Sequence, residues 1–430
     1  MELLVCSEVC ESGNGVSSIH FMDLGTAQTL FSFKTAHCPS NGMCLVKADY
    51  ILHAVSNKSF LQVFEVTRTG HQPKKIVTPG VVKALDASHD GTLIAAGIEE
   101  KVLLWDAQNG ELLCILSKHY QDVTCLKFTD DCGILSTGGA DGIVVAWDVS
   151  DLLDNNSSDG DREPIASFVA HTLPVTGIAC SLSSVNQPRL YTSSQDRTVK
   201  IHDLLLGQTL LSIVYDTGIT SLVIDNAESV LCVGGMNGNV YKLDLISICH
   251  KRKTENEIDI TTSAYWETSH TLKGHVNPIT AISFSMDCSQ LVTCAKNEGL
   301  LIWDIFSGQC VKTIKCSSVS SNGGKITNIL ILPTPESLHM SVTKPIVNFP
   351  KLAHATKSSD QTDCKALFKI NCSSSINPPI TSIDNYLSCS HKTCKGDAIK
   401  ASALSEEVNR LRHENKRLYD FAVNKIVSGQ

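Results

Sequence analysis

A short β-type run ending in a hydrophobic–acidic pair occurs seven times in this chain. No other feature restricts its possible folds as strongly. The runs are IHFMDL (19–24), LQVFEV (61–66), VLLWDA (102–107), VVAWDV (144–149), VKIHDL (199–204), VYKLDL (240–245) and LLIWDI (300–305). Their acidic residues are Asp23, Glu65, Asp106, Asp148, Asp203, Asp244 and Asp304, separated by 42, 41, 42, 55, 41 and 60 positions. Four of these spacings match a unit of about 40–45 residues, and the two long ones mark insertions. The insertions, 151–164 and roughly 247–264, are polar and read as loops.

The interior of a unit specifies strands. Residues 122–149 read DVTCLKFTDDCGILSTGGADGIVVAWDV, three β-rich runs separated by Asp130, Asp131 and Gly133 and by Asp141 and Gly142. Runs of this length are too short for helices, and Val and Ile favour strands. Seven such units predict an all-β, seven-bladed β-propeller over residues 1–332. The first unit opens directly on ELLVCSE (2–8), which matches the middle strand of the others, so its innermost strand is missing. KITNILIL (325–332) alternates like VTCLKF (123–128) and is expected to supply that strand. Joining both chain ends in one blade removes open sheet edges.

These units resemble the WD-repeat family, whose blades join a His, a Ser/Thr, a turn Asp and a Trp in one hydrogen-bonded chain. The matching residues of the fourth unit are His119, Thr137, Asp141 and Trp147. The next unit keeps His171, Thr192 and Asp196 but has His202 in place of Trp. The last keeps His275, Thr293 and Trp303, with Asn297 where Asp is usual. The first, second and sixth units are degenerate. The resemblance implies a buried polar network that sets blade geometry, not a catalytic one.

Bulk properties exclude several functions. Residues 1–330 carry 23 basic and 35 acidic side chains, a net charge of −12, whereas 331–430 carry 13 and 9, a net of +4. An acidic body is a poor non-specific nucleic-acid binder. No stretch approaches the roughly 18 apolar residues of a membrane span, and MELLVCSEVCESGNG lacks the basic start of a secretory signal. An intracellular location is expected. The 18 cysteines are scattered, and Cys114, Cys125 and Cys232 lie on apolar strand patterns, so they read as small hydrophobes. Cys389, His391 and Cys394 lack the second paired arm of a zinc module. Lys251, Arg252 and Lys253 form a short basic run in the second insertion. No P-loop, nucleophile-elbow, metalloprotease or dinucleotide fingerprint occurs, and no cofactor, metal or small-molecule substrate is expected.

Beyond the repeats the chain changes character. Residues 333–403 hold six of the thirteen prolines and many Ser and Thr, and read as an extended or disordered linker. Its apolar clusters at Ile346–Val347–Phe349, Leu367–Phe368–Ile370 and Tyr386–Leu387 either dock on partners or pack back on the propeller. Over 404–427 an amphipathic helix is predicted, with Leu404, Leu411 and Leu418 at one seam position and Val408, Asn415 and Ala422 at the other. Leu opposite small or β-branched residues, with one seam Asn, suits a two-stranded parallel homodimer, the alternative being that the stripe docks on a side of the propeller or on another partner.

Two segments are more specific. LSKHYQDVTCLKFTDD (116–131) and EEVNRLRHENKRLYDF (406–421) resemble the corresponding stretches of the WD repeat-containing protein 18 family. That resemblance implies a non-catalytic subunit of a rixosome-type complex in the nucleus, nucleolus and nucleoplasm, with some cytoplasmic presence allowed. It further implies large-subunit maturation, rRNA spacer processing, and engagement of pre-ribosomal particles and a midasin-like ATPase through the complex. The alternative is a substrate receptor of a cullin-type ubiquitin ligase. Those receptors often carry Arg two residues after the Trp–Asp pair, where this chain has Gln108, Ser150 and Phe306.

Overall fold

The computed structural model describes residues 2–10, 17–47, 49–66, 73–153, 162–181, 188–251, 257–259, 269–314, 324–334 and 349–354. Seven sheets, antiparallel except for one added edge strand, account for nearly all of the regular structure among them. Blade 1 is built from Glu2–Cys10, Ser17–Asp23 and Thr29–Thr35, with Gly324–Pro333 as its innermost strand. Blades 2 to 7 begin at their inner strands Met43–Val46, Val82–Ala87, Val123–Phe128, Val175–Cys180, Ile219–Ile224 and Ile279–Phe284. Each then runs outward through three further strands in sequence order, the short hairpin connections making adjacent pairing the only economical choice. The seven repeated runs are the third strands of the sheets.

The expected closing segment 325–332 lies within Gly324–Pro333, which pairs antiparallel with Glu2–Cys10 from Glu2↔Pro333 to Cys10↔Gly324. Side chains alternate along these strands, so each blade presents two apolar faces. The result is seven buried apolar clusters, one in each gap between neighbouring blades. Burial on both faces explains the short, nearly continuous apolar runs of the sequence.

The repeated acid has a local function that periodicity alone does not reveal. Its carboxylate accepts backbone N–H groups of the turn that follows, as at Asp106 with Gln108 N (2.8 Å) and Asp203 with Leu205 N (2.9 Å). At Asp148 and Asp244 the same bonds cap short helices, Val149–Leu153 and Leu245–Lys251. Where Ser or Thr lies three residues on, its hydroxyl bonds the carboxylate and holds the Asp23, Asp244 and Asp304 carboxyls below the usual range.

One expectation needs correction, and one open alternative is decided. The insertion at 247–264 is not loop throughout. It shares the helix Leu245–Lys251 and contributes the strand Glu257–Asp259, which pairs parallel with the outer strand Gln208–Val214 of blade 5. An open sheet edge offers unpaired backbone groups to any extended segment within reach, so a polar sequence suffices there. The basic run Lys251, Arg252 and Lys253 starts at the end of that helix, and its side chains lie outside the described residues. The linker, in turn, is not free of the propeller from residue 333. Phe349 and Leu352 are buried in the cluster between blades 2 and 3. The Ile346–Val347 part of that cluster, the clusters at 367–370 and 386–387, Cys389, His391 and Cys394, and the whole helix 404–427 with its seam fall outside the described residues.

Candidate functional site

The polar networks expected from the repeats assemble through their indole or its substitute in blades 7 and 5, and without Trp147 in blade 4. In blade 7 Trp303 Nε1 donates to Thr293 Oγ1 (2.9 Å), Thr293 meets His275 Nε2 (2.9 Å), and His275 Nδ1 reaches a carboxylate at 2.7 Å. A carboxylate only accepts, so the ring proton sits on Nδ1 and the threonine hydroxyl donates to Nε2. That carboxylate belongs to Glu298, not to the expected position, Asn297. Asn297 takes a left-handed turn conformation (φ 59°), and the longer side chain of the next residue covers the distance.

Blade 5 keeps the circuit with a different end. His171 meets Asp196 at 3.0 Å and Thr192 at 2.9 Å, and His202 Nε2 lies 3.1 Å from Thr192 Oγ1 where an indole N–H would otherwise donate. His202 Nδ1 is then free to accept from Thr209 (3.0 Å). Burial drives His202 down to about 3, so it stays neutral and serves as a donor like Trp. In blade 4 His119 meets Thr137 at 2.8 Å and Asp141 at 3.3 Å, but the indole N–H of Trp147 has no hydrogen-bond partner among the described residues.

The degenerate blades carry other side chains in place of the circuit. Strand register places His53 of blade 2 where Thr137 and Thr293 stand, and Phe64 where Trp stands. His53 packs edge-on to Phe64 (6.1 Å), is fully buried, and neither ring nitrogen has a hydrogen-bond partner among the described residues. In blade 6 Tyr241 donates to Asp216 (2.5 Å) and stacks edgewise on Tyr215.

Burial lowers the His53 pKa from 6.5 to about 4, which has a consequence for acid stability. Above pH 6.5 the ring is neutral in folded and unfolded chains alike. As pH falls from 6.5 toward about 4 the unfolded chain binds a proton that the folded one refuses, and stability is lost. The full effect of this one residue is about 3 kcal/mol. We expect His53→Leu to flatten melting temperature against pH between about 6.5 and 4 and to leave stability at pH 7 equal or higher, because an unsatisfied buried polar group is removed. A variant as acid-sensitive as the parent would contradict this.

What the networks accomplish is positional. Their carboxylates also accept the backbone N–H after the histidine: Tyr120 N to Asp141 (2.9 Å), Thr172 N to Asp196 (3.2 Å) and Val276 N to Glu298 (3.0 Å). The side chains of Tyr120 and Val276 project into solvent, 77% and 84% exposed, with Leu173 and Met236 also exposed on loops at the same ends of their strands. A rigid buried base thus holds apolar residues outward, which is the geometry of a protein-binding surface. None of the network histidines lines the central channel. The inner strands enclose a channel of about 710 Å³, and Asn41 crosses it to donate to the carbonyls of Thr124 (3.1 Å) and Thr176 (3.4 Å). Among the described residues no group of His, Cys, Asp and Glu is arranged to hold a metal, and no helix is long and apolar enough to cross a membrane. Most described cysteines are buried, and burial pushes the Cys125 and Cys180 thiols up to about 12, far from a reactive thiolate.

The three blades with assembled networks coincide with the segments that match a known family model. Residues 110–148, 162–203 and 266–304 match the family described as WD domain, G-beta repeat. Over 418 residues the chain is 34% identical to the WD repeat-containing protein 18 of Danio rerio, covering 94% of each chain. The chain belongs to the WD repeat-containing protein 18 family. The Homo sapiens member of this family is 29% identical over 442 residues, covering 99% of this chain and 98% of that one. More distantly, the pre-rRNA-processing protein crb3/ipi3 of Schizosaccharomyces pombe is 25% identical over 338 residues, 73% of this chain and 75% of its own length. Matches to family members extend beyond the propeller, since the propeller strands end at Pro333 of 430 residues.

Proposed function

We propose that this chain is a non-catalytic scaffold subunit of a nuclear complex that matures the precursor of the large ribosomal subunit and processes its rRNA spacer. The observation that carries the reading is the similarity to relatives named for pre-rRNA processing, over most of the propeller. Fixed, outward-facing Tyr120 and Val276 favour protein partners over a small-molecule substrate. The partners are subunits of a rixosome-type complex, and through it the pre-ribosomal particle and a midasin-like ATPase, in the nucleolus and nucleoplasm.

Depletion is expected to stall large-subunit precursors in the nucleus and to accumulate spacer-containing rRNA. Normal processing after complete depletion, with ligase adaptors dominating the affinity-purified partners, would overturn the assignment.

Self-association belongs to the same proposal. Leu404, Val408, Leu411, Asn415, Leu418 and Ala422 form the seam of a two-stranded helix pair between copies. Three heptads are marginal alone, so the complex must support the pairing. Leu411→Asp with Leu418→Asp is expected to abolish dimer sedimentation while the propeller still melts cooperatively. A wild-type chain monomeric at tens of micromolar with its partners present would leave the helix as a docking element instead.

A further inference from the structure

Gly110, Gly207 and Gly308 occupy matching turns after the repeated acids Asp106, Asp203 and Asp304, all with left-handed backbone (φ 74°, 62° and 68°). Their surroundings differ. A Cβ at Gly207 would meet nothing within 4 Å, whereas one at Gly110 would lie 2.1 Å from the carbonyl oxygen of Lys351. The chain's own segment 349–354 rests on this turn. Ala353 N donates to the Gly110 carbonyl (2.7 Å), and the Lys74 ammonium donates to the Phe349 carbonyl. Phe349 packs edge-on to Tyr50 (5.6 Å), and Leu352 is buried with it between blades 2 and 3.

Trp105 completes the seat. Register puts Ala96 of blade 3 where blades 4 and 7 have Thr137 and Thr293, so no network hydroxyl is available to this indole. Its N–H donates instead to the carbonyl of Ala353, 2.7 Å away and 248 positions along the chain. A groove with an aromatic pocket, an indole donor, a backbone acceptor and a glycine floor has the parts of a peptide site.

We propose that the groove between blades 2 and 3 is a short-peptide site whose resident ligand is Phe349–Ala353 of the same chain. The segment is a reversible strap on that groove. Reversibility follows from the opposing terms. Two buried apolar side chains and three hydrogen bonds act against the ordering of six residues, which is a near balance. Tethering supplies a high effective concentration, so a weak contact suffices to keep the strap closed.

Lys351 places a tryptic site inside the strap. In the full-length chain Gly110→Ala should speed cleavage after Lys351 about tenfold, because the methyl group excludes the segment and exposes its backbone. Gly207→Ala carries the same backbone strain without the clash and should cleave there like wild type. A labelled peptide of residues 345–358 should bind saturably to full-length chain carrying Phe349→Asp and Leu352→Asp, about tenfold more tightly than to wild type, where the strap competes. Adding Gly110→Ala to that variant should remove the binding. Equal cleavage in wild type and Gly110→Ala, equal acceleration in both glycine variants, or no saturable peptide binding would each overturn the proposal.

Discussion

Truncation after residue 320 is expected to yield a chain that is insoluble or lacks a cooperative melt, while residues 1–360 remain soluble and fold. The lost strand Gly324–Pro333 lines the inside of blade 1 and contacts three blades at once. Ile326, Ile329 and Leu332 are buried, and their exposure costs roughly 5–9 kcal/mol. Asn328 Nδ2 donates to Pro39 O of the connection into blade 2 (2.8 Å), and Thr280 of blade 7 donates to Ile326 O (2.6 Å). Against a typical total of about 5–15 kcal/mol these losses leave little net stability. The truncation also bares Glu2–Cys10 as an unpaired, apolar edge, the kind of surface that aggregates. Solubility, gel filtration and calorimetry of the two fragments test this. A soluble 1–320 chain with a single cooperative transition would show that the ring closes without its last strand.

Trp147→Ala is expected to cost about 3–5 kcal/mol, and Trp303→Ala more. Both indoles are 2% exposed. Trp147 sits in the cluster between blades 3 and 4, and its N–H has no partner among the described residues, so its loss is one of packing. Trp303 loses the same packing and also leaves Thr293 without the donor that completes the chain to His275 and Glu298, roughly 1 kcal/mol further. Denaturant midpoints at constant slope measure both. A cost for Trp147→Ala below about 1 kcal/mol would mean that the gap between blades 3 and 4 closes over the missing ring, contrary to the packing argument.

Much of the fold is legible in the sequence because a propeller is built by nearest neighbours. Each blade needs only local hairpins and two apolar faces, so the third strands announce themselves by their spacing and by the turn-capping acid. The network members His119, Thr137, Asp141, His171, Thr192, Asp196, His275, Thr293 and Trp303 fall into place for the same reason, since strand register carries them to one another. The shift from Asn297 to Glu298 was not legible, because a left-handed turn residue and the reach of a side chain are set by the turn, not by spacing. His53 showed only as an oddity in an apolar strand. Its one signal is register, which sets it at the position of the network threonines.

The linear chain by itself therefore determined the class of fold, the number of blades, the place of the insertions and the buried histidines and threonines of the repeat networks. Tertiary structure alone decided how the insertion after Asp244 adds a strand to blade 5, and that Trp105 bonds a carbonyl 248 positions away. It also decided that Phe349, with Leu352, packs back on the propeller between blades 2 and 3. The division has one physical cause. Alternation and turn chemistry act over a few residues and leave a periodic trace, whereas a groove or an open sheet edge recruits whichever distant segment reaches it, and such recruitment leaves no period to read.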